Sequence, residues 1–206
     1  MGHDLAAEIV ARVLSDLQAN DSPLPEWAVP WKAVSSDQPL RANSAPHERF
    51  EPVLSATIRR VPNADAFFAR IGARMMEGNS PAYIPMYDAI VMPPIEAFGD
   101  SERYYMALAH EYVHWTQARG RLNRDLGRKE RADEGHAREE LVAELGAAIL
   151  CAELGIELEY RREHSAFIAS WFPPLTSIDA DIIAARAHAE AAVAYLKSLQ
   201  PGHRAV

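Results

Sequence analysis

Apolar residues return every three or four positions through much of this 206-residue chain, and that rhythm predicts helices. Leu5, Ile9, Val13 and Leu17 mark one face of a segment from residue 4 to 19, which Asn20 and Asp21 stop. Phe67, Phe68, Ile71 and Met75 mark the next, begun by Asn63 or Asp65 and running to about Met76. Tyr104, Leu108, Tyr112 and Trp115 follow one side of a third, with neither Gly nor Pro from Glu102 to Ala109. A fourth, from Ala137 to Leu154, is apolar at 141, 145, 148 and 152 and meets Gly155 where a C-cap belongs. After Glu153 a helix is expected to run through His164 to Phe172, stopped by Pro173-Pro174. Asp179 or Asp181 opens a last helix to Leu199, with Ile182, Ile183, Val193, Tyr195 and Leu196 facing inward.

Strands are fewer. Val53 to Arg60 has some β character, carried by Val53 to Ile58, and Ala82 to Tyr87 and Asp88 to Pro93 read as two short strands, with Pro85 suggesting a sheet edge. From Ser22 to about Pro52, prolines break regular structure, and Trp27 and Trp31 are expected to pin that segment to the domain. The chain therefore divides into residues 1–52, an N-terminal helix and Pro-rich segment, and residues 53–206, a single α+β domain with a small mixed or antiparallel sheet.

Composition narrows the functional classes. Hydrophobic residues make up 49% of the chain, enough for a substantial core, and the formal charge of -8 gives no global basic footprint for nucleic acid or anionic lipid. The most basic stretch holds Arg119, Arg121, Arg124, Arg128, Lys129 and Arg131, but Asp125, Glu130, Asp133 and Glu134 interleave, which reads as a solvated loop. One cysteine, Cys151, falls within the apolar fourth helix, so no intrachain disulfide forms and a cytoplasmic setting is expected. No apolar run is long enough for a signal peptide or a membrane span. Nothing in the pattern sets an oligomeric state.

The chemistry enters at His110-Glu111-Tyr112-Val113-His114. A helix returns to one face every four residues, so both imidazoles aim at one point, and Glu111 lies between them. Zinc held by such a pair activates water, and the intervening carboxylate can take its proton. On the fourth helix Glu140 and Glu144 share one stripe at the head of an apolar segment, and carboxylates buried there need a partner. Glu140 is read as the third metal ligand, and Glu144 as the acceptor for the second ring N–H of a ligating histidine. Glu139, about 100° round the helix, is read as a solvated neighbour, although adjacency leaves the choice between the two open. The metal is expected to be Zn²⁺, with Mn²⁺ or Co²⁺ compatible with the same donors. His164 and Tyr160 are candidates to stabilise a tetrahedral oxyanion, His164 being preferred.

Tyr83 to Pro94, Tyr104 to Asn123, Arg138 to Gly155 and the His164 to Trp171 run together resemble the zincin-type metallopeptidase domain of ArdC-type antirestriction proteins and TraC-like primases. The most specific pieces are Tyr104-Tyr105, Trp115-Thr116, Arg121-Leu122-Asn123-Arg124 and Glu139-Glu140-Leu141-Val142-Ala143-Glu144. The resemblance implies a zincin-like α+β fold, a metal on His110, His114 and Glu140, and Glu111 as catalytic carboxylate. Members of that family commonly carry an N-terminal module for single-stranded DNA, of which Ile9 to Leu17 and Trp27 to Lys32 look like a shortened trace. Two functions follow as expectations. One is hydrolysis of a peptide or protein substrate; the alternative is an antirestriction or mobile-element protein that binds single-stranded DNA and uses the zincin domain as a scaffold.

Overall fold

The computed structural model describes residues 11, 58–127, 133–156 and 178–202. The expected helix at 4–19 apart from Ala11, the Trp27 and Trp31 segment, most of the strand at 53–58, and Tyr160, His164 and the helix around them lie outside those residues.

The first described helix, α1, spans Pro62–Ile71. Pro62 suits the first turn, where its missing N–H costs nothing, and Asp65 adds a negative charge at the positive end of the helix dipole. Ala64, Phe67, Phe68 and Ile71 are its buried stripe. The helix ends five residues before the Met76 expected from periodicity, because Gly72 takes a left-handed conformation (φ 73°) that favours glycine. Met75 and Met76 consequently lie on a strand, β1 (Arg74–Glu77), and are exposed rather than on the apolar side of a helix.

The sheet is mixed. The strands β2 (Ala82–Ile84) and β3 (Ala89–Met92) are antiparallel, with Tyr83 opposite Ile90, while β1 runs parallel to β3 with Met75 opposite Ile90. The order is β1-β3-β2, so β3 is central and carries the buried Ala89, Ile90 and Met92. The segment read as one strand from Ala82 to Tyr87 stops at Ile84, where Pro85 begins a short 3₁₀ turn and Asp88 reverses the chain at φ 45°.

Three longer helices complete the fold. In α2 (Ser101–Thr116) the Asp100 side chain caps the start by accepting from the Arg103 N–H at 2.8 Å. In α3 (Glu134–Glu153) Asp133 does the same for the His136 N–H at 2.7 Å. The last, α4, spans Ile178–Ser198. Packed against both α2 and α4, α3 is buried on nearly every side from Glu139 to Cys151. Leu141, Leu145 and Leu150, with Tyr105, Ile90, Ile182 and Leu196, are among the most fully buried side chains and share one core. Each such residue contributes about 1.5–3 kcal/mol through burial. Ile183 departs from the expected inward set, since it is 63% exposed on α4 while Ile182 is buried.

Two tyrosines of α2 fasten it to α1. The Tyr105 hydroxyl accepts from the Val61 N–H at 3.0 Å and donates to Asp65 at 2.8 Å, and the Tyr112 hydroxyl donates to the Phe68 carbonyl at 3.2 Å. The result is a fixed platform for the face of α2 that bears the histidines.

Candidate metal centre

His110 and His114 lie one helical turn apart on α2, and their Nε2 atoms come within 3.0 Å of each other. Glu140 reaches them from α3, with Oε2 3.4 Å from His110 Nε2 and Oε1 3.5 Å from His114 Nε2. These three residues form a possible metal-holding group among the described residues. Donors bound tetrahedrally at about 2.0–2.1 Å stand about 3.3 Å apart, so the observed triangle has the size a divalent ion requires. An octahedral ion with slightly longer bonds fits the same triangle, and these three donors do not select the metal.

Both remaining imidazole nitrogens are held by carboxylates of α3. His110 Nδ1 is 3.0 Å from Glu144 Oε1, and His114 Nδ1 is 3.1 Å from Glu139 Oε1. These contacts favour the Nδ1–H tautomer and leave each Nε2 lone pair directed at the shared point. Arg138, the basic neighbour of these glutamates in sequence, binds Glu134 and Asp181 instead.

Glu139 corrects the expectation of a solvated neighbour. It is 4% exposed, and Arg124 grips it through Nε to Oε2 at 2.7 Å and Nη2 to Oε1 at 2.5 Å. Arg124 and Arg121 likewise depart from the solvated loop expected of their stretch. Arg124 is buried, while Arg121 stacks its guanidinium 3.8 Å from the Trp115 ring centroid and pairs with Asp88. The missed signal lay in α3 itself: from Leu141 to Cys151 the sequence has no polar stripe, so the helix has two buried sides and adjacent glutamates can both point inward. His136, also unforeseen, brings Nδ1 to 3.6 Å from Glu140 Oε1 from one turn earlier on α3.

Glu111 is buried beside the pair, and its Oε2 accepts from the Tyr83 backbone N–H at 2.6 Å. This bond couples the carboxylate to β2, whose outer edge therefore faces the site.

The enclosed charge is strongly negative. Glu111, Glu139, Glu140 and Glu144 are all buried, and the only guanidinium described among them is that of Arg124. Burial alone would push the His110 proton affinity down, yet Glu144 and Glu140 outweigh it and hold the imidazole well above its ordinary pKa. For His114, burial is likewise outweighed by Glu140 and Glu139, which raise it to about 9. Glu140 shows the reciprocal effect: burial would raise its pKa, but the two imidazoles hold it well below the usual range. A site that draws positive charge this strongly, with aligned nitrogen and oxygen donors, suits a divalent cation.

A family model described as a zincin-like metallopeptidase matches residues 62–188, which contain every donor above. The chain belongs to the zincin-like metallopeptidase family. Within it, the y4eC protein of Sinorhizobium fredii is 36% identical over 140 residues, 68% of this chain and 45% of that one. A DNA primase TraC of Escherichia coli is 34% identical over 142 residues, 68% of this chain and 10% of the primase. The Mn(II)-bound crystal structure of the antirestriction protein ArdC from plasmid R388 superposes with a TM-score of 0.57 at 36% identity, covering 69% of this chain and 54% of ArdC. Its metal-free form gives 0.52 at 35% identity, covering 67% and 50%. This zincin-like chain thus groups with ArdC-type and TraC-like proteins, and spans about half or less of the length of each of these relatives.

Proposed function

We propose that this protein is a metal-dependent hydrolase of peptide bonds, of the ArdC antirestriction type, with His110, His114 and Glu140 as metal ligands and Glu111 as general base. The observation that carries this reading is the convergence of the two Nε2 atoms and the Glu140 carboxylate at 3.0–3.5 Å. A divalent cation bound there supplies Lewis acidity, bringing the pKa of water toward about 7 and polarising a carbonyl. Zn²⁺ is the first candidate and Mn²⁺ or Co²⁺ the others; the Mn(II) of the ArdC structure supports a divalent ion.

The protein's own groups divide the remaining work. Glu111 takes the proton of the attacking water and returns it to the leaving amine, a role worth about 10²–10⁴ in rate. The Tyr83 N–H holds one oxygen of Glu111, so its direction is set by the sheet before substrate arrives. Glu144 keeps His110 in the ligating tautomer. The outer edge of β2, beside Glu111, is placed to pair with an extended segment of a peptide or protein substrate. His164, outside the described residues, is the proposed stabiliser of the oxyanion.

Replacing Glu111 by Gln is expected to leave metal content unchanged and lower peptide turnover by at least about 10²-fold, whereas His114→Ala is expected to lose both. Full activity in the Glu111→Gln protein on a cleavable peptide would overturn the mechanism.

A DNA-protecting role is the second reading, favoured by the similarity to an antirestriction protein and to a DNA primase. Arg121 and Arg124 are committed to internal partners, so phosphate contacts would fall to other residues. Filter binding of single-stranded DNA at two salt concentrations tests it: affinity falling steeply with salt supports phosphate contacts, and absence of binding at low salt removes the reading.

A further inference from the structure

We propose that Arg124 is a positioning residue for metal binding: acting through Glu139, it fixes the orientation of His114 and thereby sets the affinity of the site. The inference rests on the metal-ligand reading above and extends it to a residue in the loop after α2 that touches no candidate ligand.

The two histidines are supported differently. His110 Nδ1 meets Glu144, whereas His114 Nδ1 meets Glu139, which is clamped on both oxygens by Arg124. Arg124 also donates from Nη1 to the Thr116 hydroxyl at 3.0 Å and from Nη2 to the Val113 carbonyl at 3.1 Å. Thr116 in turn donates to the same Val113 carbonyl at 2.6 Å. Guanidinium, carboxylate, hydroxyl and carbonyl are all buried, so this is a closed network with little freedom to rearrange.

The loop is built to deliver that guanidinium. The last four carbonyls of a helix have no partner within it, and those of α2 are each met from the following turn. Val113 O receives Arg124, His114 O receives the Gln117 N–H, Trp115 O receives Arg121 Nε at 2.5 Å, and Thr116 O receives the Leu122 N–H at 3.0 Å. Asn123 adopts φ 48° immediately before Arg124, and the Arg124 N–H returns to the Gln117 carbonyl at 3.0 Å. The same turn that closes the helix bearing His114 therefore inserts the side chain that orients it. A lysine would carry the charge but not the planar fork that holds both oxygens of Glu139 and the Val113 carbonyl together.

The test uses full-length protein stripped of metal and titrated with Zn²⁺ against a chromophoric chelator, with the visible spectrum of the Co²⁺-loaded protein as a second readout. Arg124→Lys and Glu139→Ala are each expected to weaken Zn²⁺ binding by about 10–100-fold and to alter the Co²⁺ spectrum. Glu139→Gln preserves shape and an acceptor for the imidazole N–H, and is expected to lose less than Glu139→Ala; it also serves if Arg124→Lys fails to fold. Asp181→Asn, which disturbs the partly buried ion pair to Arg138 and touches neither histidine, controls for simple destabilisation and should leave Zn²⁺ affinity unchanged. If His114→Ala binds Zn²⁺ like the wild type, the metal-ligand reading itself fails. If His114→Ala loses Zn²⁺ while folded Arg124→Lys, or both Glu139→Ala and Glu139→Gln, stay within about twofold of wild type, or if Asp181→Asn weakens binding equally, the role of Arg124 and Glu139 is overturned.

Discussion

Cys151 illustrates how a single side chain reports its surroundings. It is fully buried on α3, and burial pushes its thiol up to about 12. In an unfolded chain the thiol ionises near 8.5, so its contribution to stability is complete below that pH and is lost as pH rises toward 12. The loss reaches about 2–3 kcal/mol at pH 10.5, and the fall in melting temperature between pH 8 and 10.5 should be smaller in Cys151→Ala. A thiol-reactive reagent should label the wild type only on unfolding. At this scale the sequence was informative where geometry is local. A spacing of four brings His110 and His114 together because both belong to one helix, and Glu144 lies one turn from Glu140 for the same reason. Glu139 and Arg124 were not legible in that way, because their inward direction depends on a loop conformation and on α3 being enclosed from two sides.

The contact between α2 and α3 decides whether donors on separate helices can meet. Gly146 marks a close approach: a Cβ there would stand 2.8 Å from a Val113 methyl group. A β-branched side chain on a helix has little freedom to turn aside, so Gly146→Ala should force the helices apart at a cost of about 1–3 kcal/mol. Thermal melts should show a drop of about 2–4 °C per kcal/mol. Adding Val113→Ala should restore much of it, and strict additivity of the two substitutions would reject the close-packing explanation. Helix periodicity identified α2, α3 and α4, but it carried α1 past Gly72 and missed β1. Four exposed residues paired to one neighbouring strand show no alternation for a pattern to reveal.

For the molecule as a whole, the candidate metal centre joins two packed helices that lie apart in sequence, so cation binding should act as a cross-brace. Free Zn²⁺ or Mn²⁺ at one hundred times its dissociation constant should stabilise the native state by about 2.7 kcal/mol. A melting temperature that rises with added metal, falls with chelator and is unresponsive in His114→Ala is the expected result. Among the described residues no helix is long and apolar enough to cross a membrane. The mixed sheet was foreseeable only as a class, since the pairing of β1 with β3 joins segments about fifteen residues apart through contacts that neither segment encodes alone.

The outer border of β2 has a further consequence. Within β2 the N–H of Tyr83 is given to Glu111, and the prolines that flank the strand, Pro81 and Pro85, have no N–H. The border thus offers hydrogen-bond acceptors without a free donor, and a second copy of the strand cannot form a reciprocal ladder with it. Self-templated fibre growth from this side of the sheet is disfavoured by the same arrangement that leaves it open to a visiting chain.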